Sequence, residues 1–384
     1  MLIKSEVHVQ RYYFDHNATT PVLPEVLAAM APVLTEVYGN PSSIHYYGQV
    51  ARQKLDEARR TIAKFLGATP DEIVFTSGGT EGDNLAIFGV ARGAHAVITT
   101  AEHSAVLGAS GQLSSMTKVA VDGRGLVDPE DIRRAIRPDT KIISVMHVNN
   151  ELGAIQPLAE IAKIAREACV LFHSDGVQAA GKVAIDVAAL GVDLYTISGH
   201  KFYAPKGCGA LYVRKGVDLR PLQHGGHHER DRRAGTENVA GAVALACAAQ
   251  IWMDDRETET RRVSALRDRL ERAILDRVPG THVNGAGAPR TPNVTNIRFD
   301  GIDSEPLMIA LDLRGFAVSS GSACLSGASE PSHVLTAIGL TKEQGRASVR
   351  FSLGRSNDQS QVDALIEALI ESVNALRRVA PAYA

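Results

Sequence analysis

Five short apolar runs, each ending in polar residues, constrain this chain more than any other feature. Glu72-Ile-Val-Phe-Thr-Ser leads into Gly78-Gly79-Thr80, Ala96-Val-Ile-Thr-Thr into Ala101-Glu102-His103, and Lys141-Ile-Ile-Ser-Val-Met-His-Val into Asn149-Asn150. Val170-Leu-Phe-His-Ser closes on Asp175, and Asp193-Leu-Tyr-Thr-Ile-Ser-Gly-His closes on Lys201. Helix-compatible stretches separate the runs. Near-continuous apolar, β-branched runs alternating with helices read as a mostly parallel sheet covered on both faces. Ligands of such sheets collect at the carboxyl ends of the strands, and all five runs deliver their polar groups to that edge.

At 384 residues the chain exceeds one compact core of ordinary size, so a second domain is expected. The stretch from Gln49 to Leu66 carries Val50, Leu55, Ala58, Ile62, Phe65 and Leu66 at helical spacing and closes on Gly67, a C-cap residue. Pro157 to Ala168 and Val239 to Trp252 read as further helices. A charged amphipathic helix, Arg261 to Arg277, then bridges to a different texture. From Thr281 onward come short strands (Val294 to Phe299, Ala317 to Ser319, Ser348 to Leu353) and helices (Glu305 to Arg314, Gln359 to Arg378), which read as a smaller α+β domain. The expected division is residues 21–260 for the large domain, with 1–20 and 261–384 forming the small one.

Lys201 and Asp175 carry the first chemical signal. A lysine at the end of a buried strand is costly unless it is paired or reacts, because desolvation disfavours the ammonium. It otherwise snorkels to solvent. Forming a Schiff base with an aldehyde cofactor is one such use. Asp175, at the end of a neighbouring run, is placed to keep a pyridinium nitrogen protonated, the property that makes pyridoxal phosphate an electron sink. The two together point to that cofactor. Ser77-Gly78-Gly79-Thr80 lies between a strand and a helix beginning near Glu81, where free N–H groups and the helix dipole suit a phosphate. With Ser198 and His200 arriving at the same edge, a phosphate cradle is the better account than an isolated turn. Gln178 can donate to a phenolate oxygen, and the flat ring of His103 can stack on a pyridine.

Hydrophobic residues make up 45% and charged residues 22% of a chain with net charge −2, which gives no reason to invoke nucleic acid or an anionic membrane. No apolar run approaches the roughly 20 residues of a membrane helix. The opening stretch, Met1 to His8, is too polar for a secretory signal. The cysteines at 169, 208, 247 and 324 are far apart with no metal-ligand spacing, so no disulfide framework or zinc site is expected, and a cytoplasmic location fits. Cys169, Cys208 and Cys247 read as buried small hydrophobes. Cys324 differs: it stands among Gly, Ser and Pro in Val318-Ser-Ser-Gly-Ser-Ala-Cys324-Leu-Ser-Gly-Ala-Ser-Glu-Pro-Ser-His333, a loop composition around one reactive thiol. His224, His227 and His228 crowd another loop. Without a second ligand cluster they read as a solvated surface rather than a metal site.

The chain resembles the cysteine desulfurases of the NifS/IscS kind, in the class V aminotransferase branch of fold-type I pyridoxal-phosphate enzymes. The resemblance runs from Tyr13-Phe-Asp-His-Asn-Ala-Thr-Thr-Pro through Arg355. Its most specific pieces are Tyr38-Gly-Asn-Pro-Ser-Ser-Ile-His45, His147-Val-Asn-Asn-Glu-Leu-Gly153, Ser198-Gly-His-Lys201, Arg233-Ala-Gly-Thr-Glu-Asn238, Ser319-Ser-Gly-Ser-Ala-Cys324 and Val349-Arg350-Phe-Ser-Leu-Gly-Arg355. It implies a PLP-dependent transferase fold of type I, with a large seven-stranded, mostly parallel α/β domain and a smaller α+β domain. Lys201 is then the Schiff-base lysine, Asp175 the partner of the ring nitrogen, Gln178 of the ring hydroxyl, and His103 the stacking ring and proton shuttle. Gly79, Thr80, Ser198 and His200 hold the phosphate, and Thr236 reaches the phosphate of the other subunit of a homodimer. Asn150 and Arg350 hold the substrate, Arg350 as the fork for its α-carboxylate.

The implied reaction takes sulfur from L-cysteine, leaving L-alanine and a persulfide on Cys324. That sulfur is destined for an iron–sulfur scaffold or another acceptor protein, for cluster assembly or thiolation. A selenocysteine lyase, an aminotransferase and a kynureninase-like lyase are the alternatives on the same cofactor. Which acceptor serves, and whether Cys324 itself ever ligates a cluster, stay open at this point.

Overall fold

The computed structural model of the chain describes residues 10–320 and 331–379. Its strands are β1 (Tyr12–Tyr13), β2 (Ile73–Thr76), β3 (His95–Thr99), β4 (Ser115–Val119), β5 (Thr140–Ser144), β6 (Leu171–Asp175), β7 (Leu194–Ser198), β8 (Gly209–Val213), β9 (Thr281–Val283), β10 (Val294–Phe299), β11 (Phe316–Ala317) and β12 (Ser348–Ser352). Seven of them form one sheet in the order β2-β8-β7-β6-β5-β3-β4. Strands β3 to β7 pair in parallel, whereas β8 is antiparallel to both β7 and β2. Two reversals restore direction, so β2 runs with the parallel strands. The carboxyl ends of β2, β3, β5, β6 and β7 therefore open on one edge, as the five apolar runs require.

Two strands of this sheet lie outside the five runs. Strand β4, Ser-Met-Thr-Lys-Val, closes one end of the sheet and is mostly half-buried, so it needs no continuous apolar run. Strand β8 begins on Gly209, where a Cβ would lie 2.8 Å from the Gly78 Cα; close backbone approach, not apolarity, selects the residue there. Elsewhere local rules suffice. The Tyr46–Leu66 helix buries Leu55, Ile62, Phe65 and Leu66, and ends on Gly67 at φ +70, whose N–H reaches the Ala63 carbonyl.

The stretches read as separate helices over 239–252 and 261–277 are one helix of 39 residues, Val239–Arg277. The charged segment between them contains neither Gly nor Pro, so nothing interrupts the helical hydrogen bonds. Its first half packs Leu245, Ala249 and Trp252 into the core around the sheet. Its second half packs Leu266, Leu270 and Ile274 against Phe14, Phe299, Phe351 and Leu369, a separate core over the β12-β10-β9 sheet. Each fully buried Leu or Phe is worth roughly 1.5–3 kcal/mol, so this helix ties two cores together. Val334, Leu335 and Ile338, far along the chain, pack into the first of them.

The cysteines depart from expectation at one place. Cys208 is buried and Cys247 partly so, but Cys169 is exposed. It follows the Leu158–Glu167 helix with φ +55, in the left-handed turn that reverses the chain into β6, and such turns lie at the surface. Cys324 lies outside the described residues.

Candidate active site

The five strand ends, together with β12, line a cavity of about 420 Å³. Gly79 and Thr80 follow β2, His103 follows β3, Asn150 follows β5, Asp175 ends β6 with Gln178 just beyond, and Ser198, His200 and Lys201 come from the end of β7. Arg350 reaches in from β12. Of the expected site residues, Thr236 is the described one outside this cavity; it lies on an exposed loop.

At one end of the cavity the Gly79–Ala91 helix presents its N-terminus. Its cap, Gly78, has φ +152, a conformation side chains rarely adopt, and a Cβ on Gly79 would lie 2.8 Å from Val177 Cγ2. The backbone is thus kept bare where an anion would approach its N–H groups. Ser198 is buried beside it. His200 shares its Nδ1 with Thr19 Oγ1 at 3.1 Å, and burial pushes its pKa down to about 4, so it meets an anion as a neutral ring.

The middle of the cavity is acidic, and its carboxyls are buried. Asp175 Oδ1 accepts the Val177 N–H at 2.9 Å. Burial pushes its pKa upward while His103 and Lys201 pull the other way. Asp83, 1% exposed, has an oxygen without a hydrogen-bond donor, and burial followed by the Asp175 charge holds its carboxyl well above the usual range. Asp83, Asp175 and His103 converge to within 4.8 Å. A carboxylate buried at this point needs a cationic partner, which a protonated pyridine supplies. His103 caps the Ser104–Ser110 helix and accepts the Ala105 N–H on Nδ1 at 3.2 Å, which leaves its proton on Nε2. Burial lowers its pKa, keeping the ring neutral.

Lys201 Nζ donates to the carbonyls of Asn17 and Ala18, both at 2.8 Å. Gln178 Nε2 donates to the same Asn17 carbonyl at 2.9 Å, and Lys182 Nζ donates to Gln178 Oε1 at 2.8 Å. Lys182 is buried, and desolvation with the nearby Lys201 and Arg350 charges pushes its pKa down to about 7. The Asn17 side chain donates to the Asn150 carbonyl and accepts from Asn293 Nδ2. One asparagine near the start of the chain therefore organises the lysine, the glutamine and the Asn150 turn. Its role was not legible in sequence; the Asp-His-Asn-Ala-Thr-Thr stretch marked the place without the contact.

Arg350, 2% exposed, donates through one NH2 group to Asp15 Oδ1 at 2.7 Å and through the other to the Asn150 carbonyl at 3.1 Å. These contacts aim a planar cation at the cavity, where a small carboxylate would dock. Two further acids were missed. Glu151 lines the cavity and accepts the Ser332 hydroxyl at 2.7 Å. Glu102 accepts from Thr99 and Met146 on one oxygen. His333, beside Ser332, also lines the cavity and donates from Nε2 to the Glu102 carbonyl at 2.9 Å. On the other loop, His224 and His227 are exposed, and His227 pairs with Asp231.

The donor set suits pyridoxal phosphate: a bare helix N-terminus for the phosphate, a buried carboxyl for the ring nitrogen, an amide for the ring hydroxyl and a lysine for the aldehyde. The aminotransferase class-V model matches residues 12–365. A cysteine desulfurase IscS of Methanosarcina thermophila is 48% identical over 378 residues, covering 96% of this chain and 93% of its own length. Among solved structures, a NifS-like protein is similar with a TM-score of 0.89 at 35% identity, covering 96% of this chain and 100% of that one. Another, described as SspA in complex with cysteine, has a TM-score of 0.80 at 35% identity over 89% of this chain and 98% of that one. With this much of the chain matched at this identity, and with the cavity built from the same motifs, the protein belongs to the aminotransferase class-V family and, within it, to the cysteine desulfurases.

Proposed function

We propose that the chain takes the sulfur of L-cysteine onto Cys324 as a persulfide and releases L-alanine. The observation that carries this reading is the delivery of Lys201, Asp175, Gln178, Ser198 and His200 to one cavity that Arg350 also enters. Cysteine as substrate is supported by the similar structure described with cysteine bound. When bound, pyridoxal phosphate supplies an electron sink for charge at the substrate Cα.

The chain's own residues do the rest. Arg350, oriented by Asp15 and the Asn150 carbonyl, grips the α-carboxylate, and Asn150 closes the same end. Lys201, held by two carbonyls within the cavity, moves the Cα proton. Asp175, buried at the end of β6, would keep the ring nitrogen protonated. His103, neutral with its proton on Nε2, would stack on the ring and would donate toward the substrate sulfur. The residues flanking 321–330 support the assignment of Cys324. Ser319 pairs with the Arg350 backbone and Ser332 is bound to Glu151, and Arg350 and Glu151 both line the cavity.

The domain division at 21–260 against 1–20 with 261–384 belongs to this reading, and so does a homodimer. Val22, Leu27, Leu34, Tyr38, Ile44, Tyr46 and Tyr47 are exposed, an apolar surface that favours burial against a second copy. In that homodimer Thr236, exposed and outside its own cavity, would serve the partner's phosphate. The sulfur then passes to an acceptor protein, an iron–sulfur scaffold among the candidates. No helix among the described residues is long and apolar enough to cross a membrane.

The test is direct. Purified protein with pyridoxal phosphate and cysteine should release alanine, with sulfide appearing when a reductant is present. Lys201→Ala should abolish this while still retaining the cofactor non-covalently, and Cys324→Ser should form no persulfide. Full turnover in either variant sinks the assignment.

A further inference from the structure

The buried amide of Gln178 is held at both ends. Lys182 Nζ donates to its Oε1 at 2.8 Å, and its Nε2 donates to the Asn17 carbonyl at 2.9 Å. An ammonium can only donate and a carbonyl can only accept, so the two contacts fix which end of the amide is which. One N–H of Nε2 is left over, on a residue that lines the cavity with Asp175 and Lys201.

Lys182 stands behind that amide. It lines a second cavity, of about 40 Å³, with His16, Trp252 and Glu259, and the two cavities share Lys201. That space holds a few water molecules at most, so the ammonium keeps little of its hydration. Its backbone is fixed as well: Gly181 has φ +74, and a Cβ there would overlap Phe202, the residue after Lys201. The charges that reach Lys182, on Lys201 and Arg350, are both positive, and Glu259 is paired with Arg262. Among the described residues no carboxylate pairs with Lys182, and its Nζ hydrogen bond goes to Gln178. A buried ammonium among cations is costly. An anion beyond the Gln178 amide offsets that cost, and the ring oxygen of pyridoxal phosphate is one.

Resting on the function proposed above, we infer that Lys182 is a positioning residue: its ammonium holds and polarises the Gln178 amide from behind, and so sets how firmly Nε2 grips the ring oxygen of the cofactor. Lys182 does not itself line the cofactor cavity and acts through Gln178. Hydrogen bonds in series strengthen one another at low dielectric, and a charged donor at the head of the series strengthens it most. Without Lys182 the amide keeps one contact, the Asn17 carbonyl, and loses both the charge and the second point that fixes it.

Equilibrium binding to the full chain, stripped of cofactor, tests this with two ligands: pyridoxal phosphate and its 3-deoxy analogue, which lacks the ring hydroxyl. Wild type should bind pyridoxal phosphate more tightly than the analogue. In Lys182→Met that preference should fall about tenfold, with affinity for the analogue nearly unchanged. Lys182→Gln, polar but uncharged, should lose the preference too, and it carries the test if the apolar variant does not fold. A wild-type preference in these variants overturns the proposal. So does an equal loss of affinity for both ligands, because Lys182 would then support the fold and not the ring oxygen. Absence of any preference in wild type overturns it as well. Failure of wild type to bind pyridoxal phosphate at all is a different result: it refutes the function proposed above, and the role of Lys182 falls with it.

Discussion

At the scale of single residues, this site is organised by burial more than by charge pairing. Glu102 shows it most clearly. Its Oε1 accepts the Thr99 hydroxyl at 2.7 Å and the Met146 N–H at 3.0 Å, while Oε2 is buried without a partner. Burial, with the Asp175 charge adding to it, pushes this carboxyl up to about 8. The folded state therefore favours the protonated acid. That contribution is complete below the ordinary glutamate value and is lost as the pH rises through about 8. Glu102→Gln keeps the oxygen that accepts both hydrogen bonds and cannot ionise. Urea unfolding of the cofactor-free protein between roughly pH 5 and pH 8 should show wild type losing stability relative to the variant, with a slope of up to about 1.4 kcal/mol per pH unit. Parallel stability curves would mean that Glu102 is already ionised in the fold. The acid precedes His103 and supplies the carbonyl that His333 binds, so a neutral Glu102 keeps negative charge away from both rings.

Elements are positioned by a few long-range polar clamps. The Tyr46–Leu66 helix carries Arg59, whose guanidinium donates to both oxygens of Glu229 and to the Ile73 carbonyl, each at 2.7 Å. Glu229 also accepts the Phe75 N–H of β2 at 2.9 Å, and Arg59 lies over the Phe75 ring at 4.7 Å. Glu229, Arg230 and Asp231 have φ of +46, +57 and +64, three successive left-handed residues without a glycine. Each such residue costs roughly 1–2 kcal/mol, so this turn persists because the buried fork holds it. It leads directly to Arg233, which pairs with Glu81 on the helix that offers the phosphate its N-terminus, and then to Thr236. Arg59→Ala leaves Glu229 as an uncompensated buried charge and should cost about 3–5 kcal/mol in urea unfolding. In a double-mutant cycle with Glu229→Ala, the two losses should be far from additive. Additive losses would show that the fork does not carry the turn.

For the whole molecule, the proposed homodimer rests on the exposed apolar residues from Leu27 to Tyr47. Ile44 is 91% and Tyr46 73% exposed in the single chain. If the proposed homodimer forms through this surface, Ile44→Asp combined with Tyr46→Asp should leave a folded monomer in light scattering and weaken cofactor retention, because the Thr236 loop would then have no second cavity to reach. A dimer that survives both changes would place the interface elsewhere. The sequence by itself determined the parallel sheet, its active edge and most of the site. Apolar runs, β-branching and the polar residues that end each run are local properties, and local properties settle which strand end delivers which side chain. It did not show the continuous Val239–Arg277 helix, the edge strand β4 or the exposed turn at Cys169, where the deciding factor is what packs alongside. Nor did it show Asn17. The contact between Lys201 and that carbonyl spans 184 residues of chain, and the Arg350 contact with Asp15 spans 335. Only the tertiary structure decides such pairings, because they depend on where two cores bring distant backbone together, and no local pattern encodes that distance.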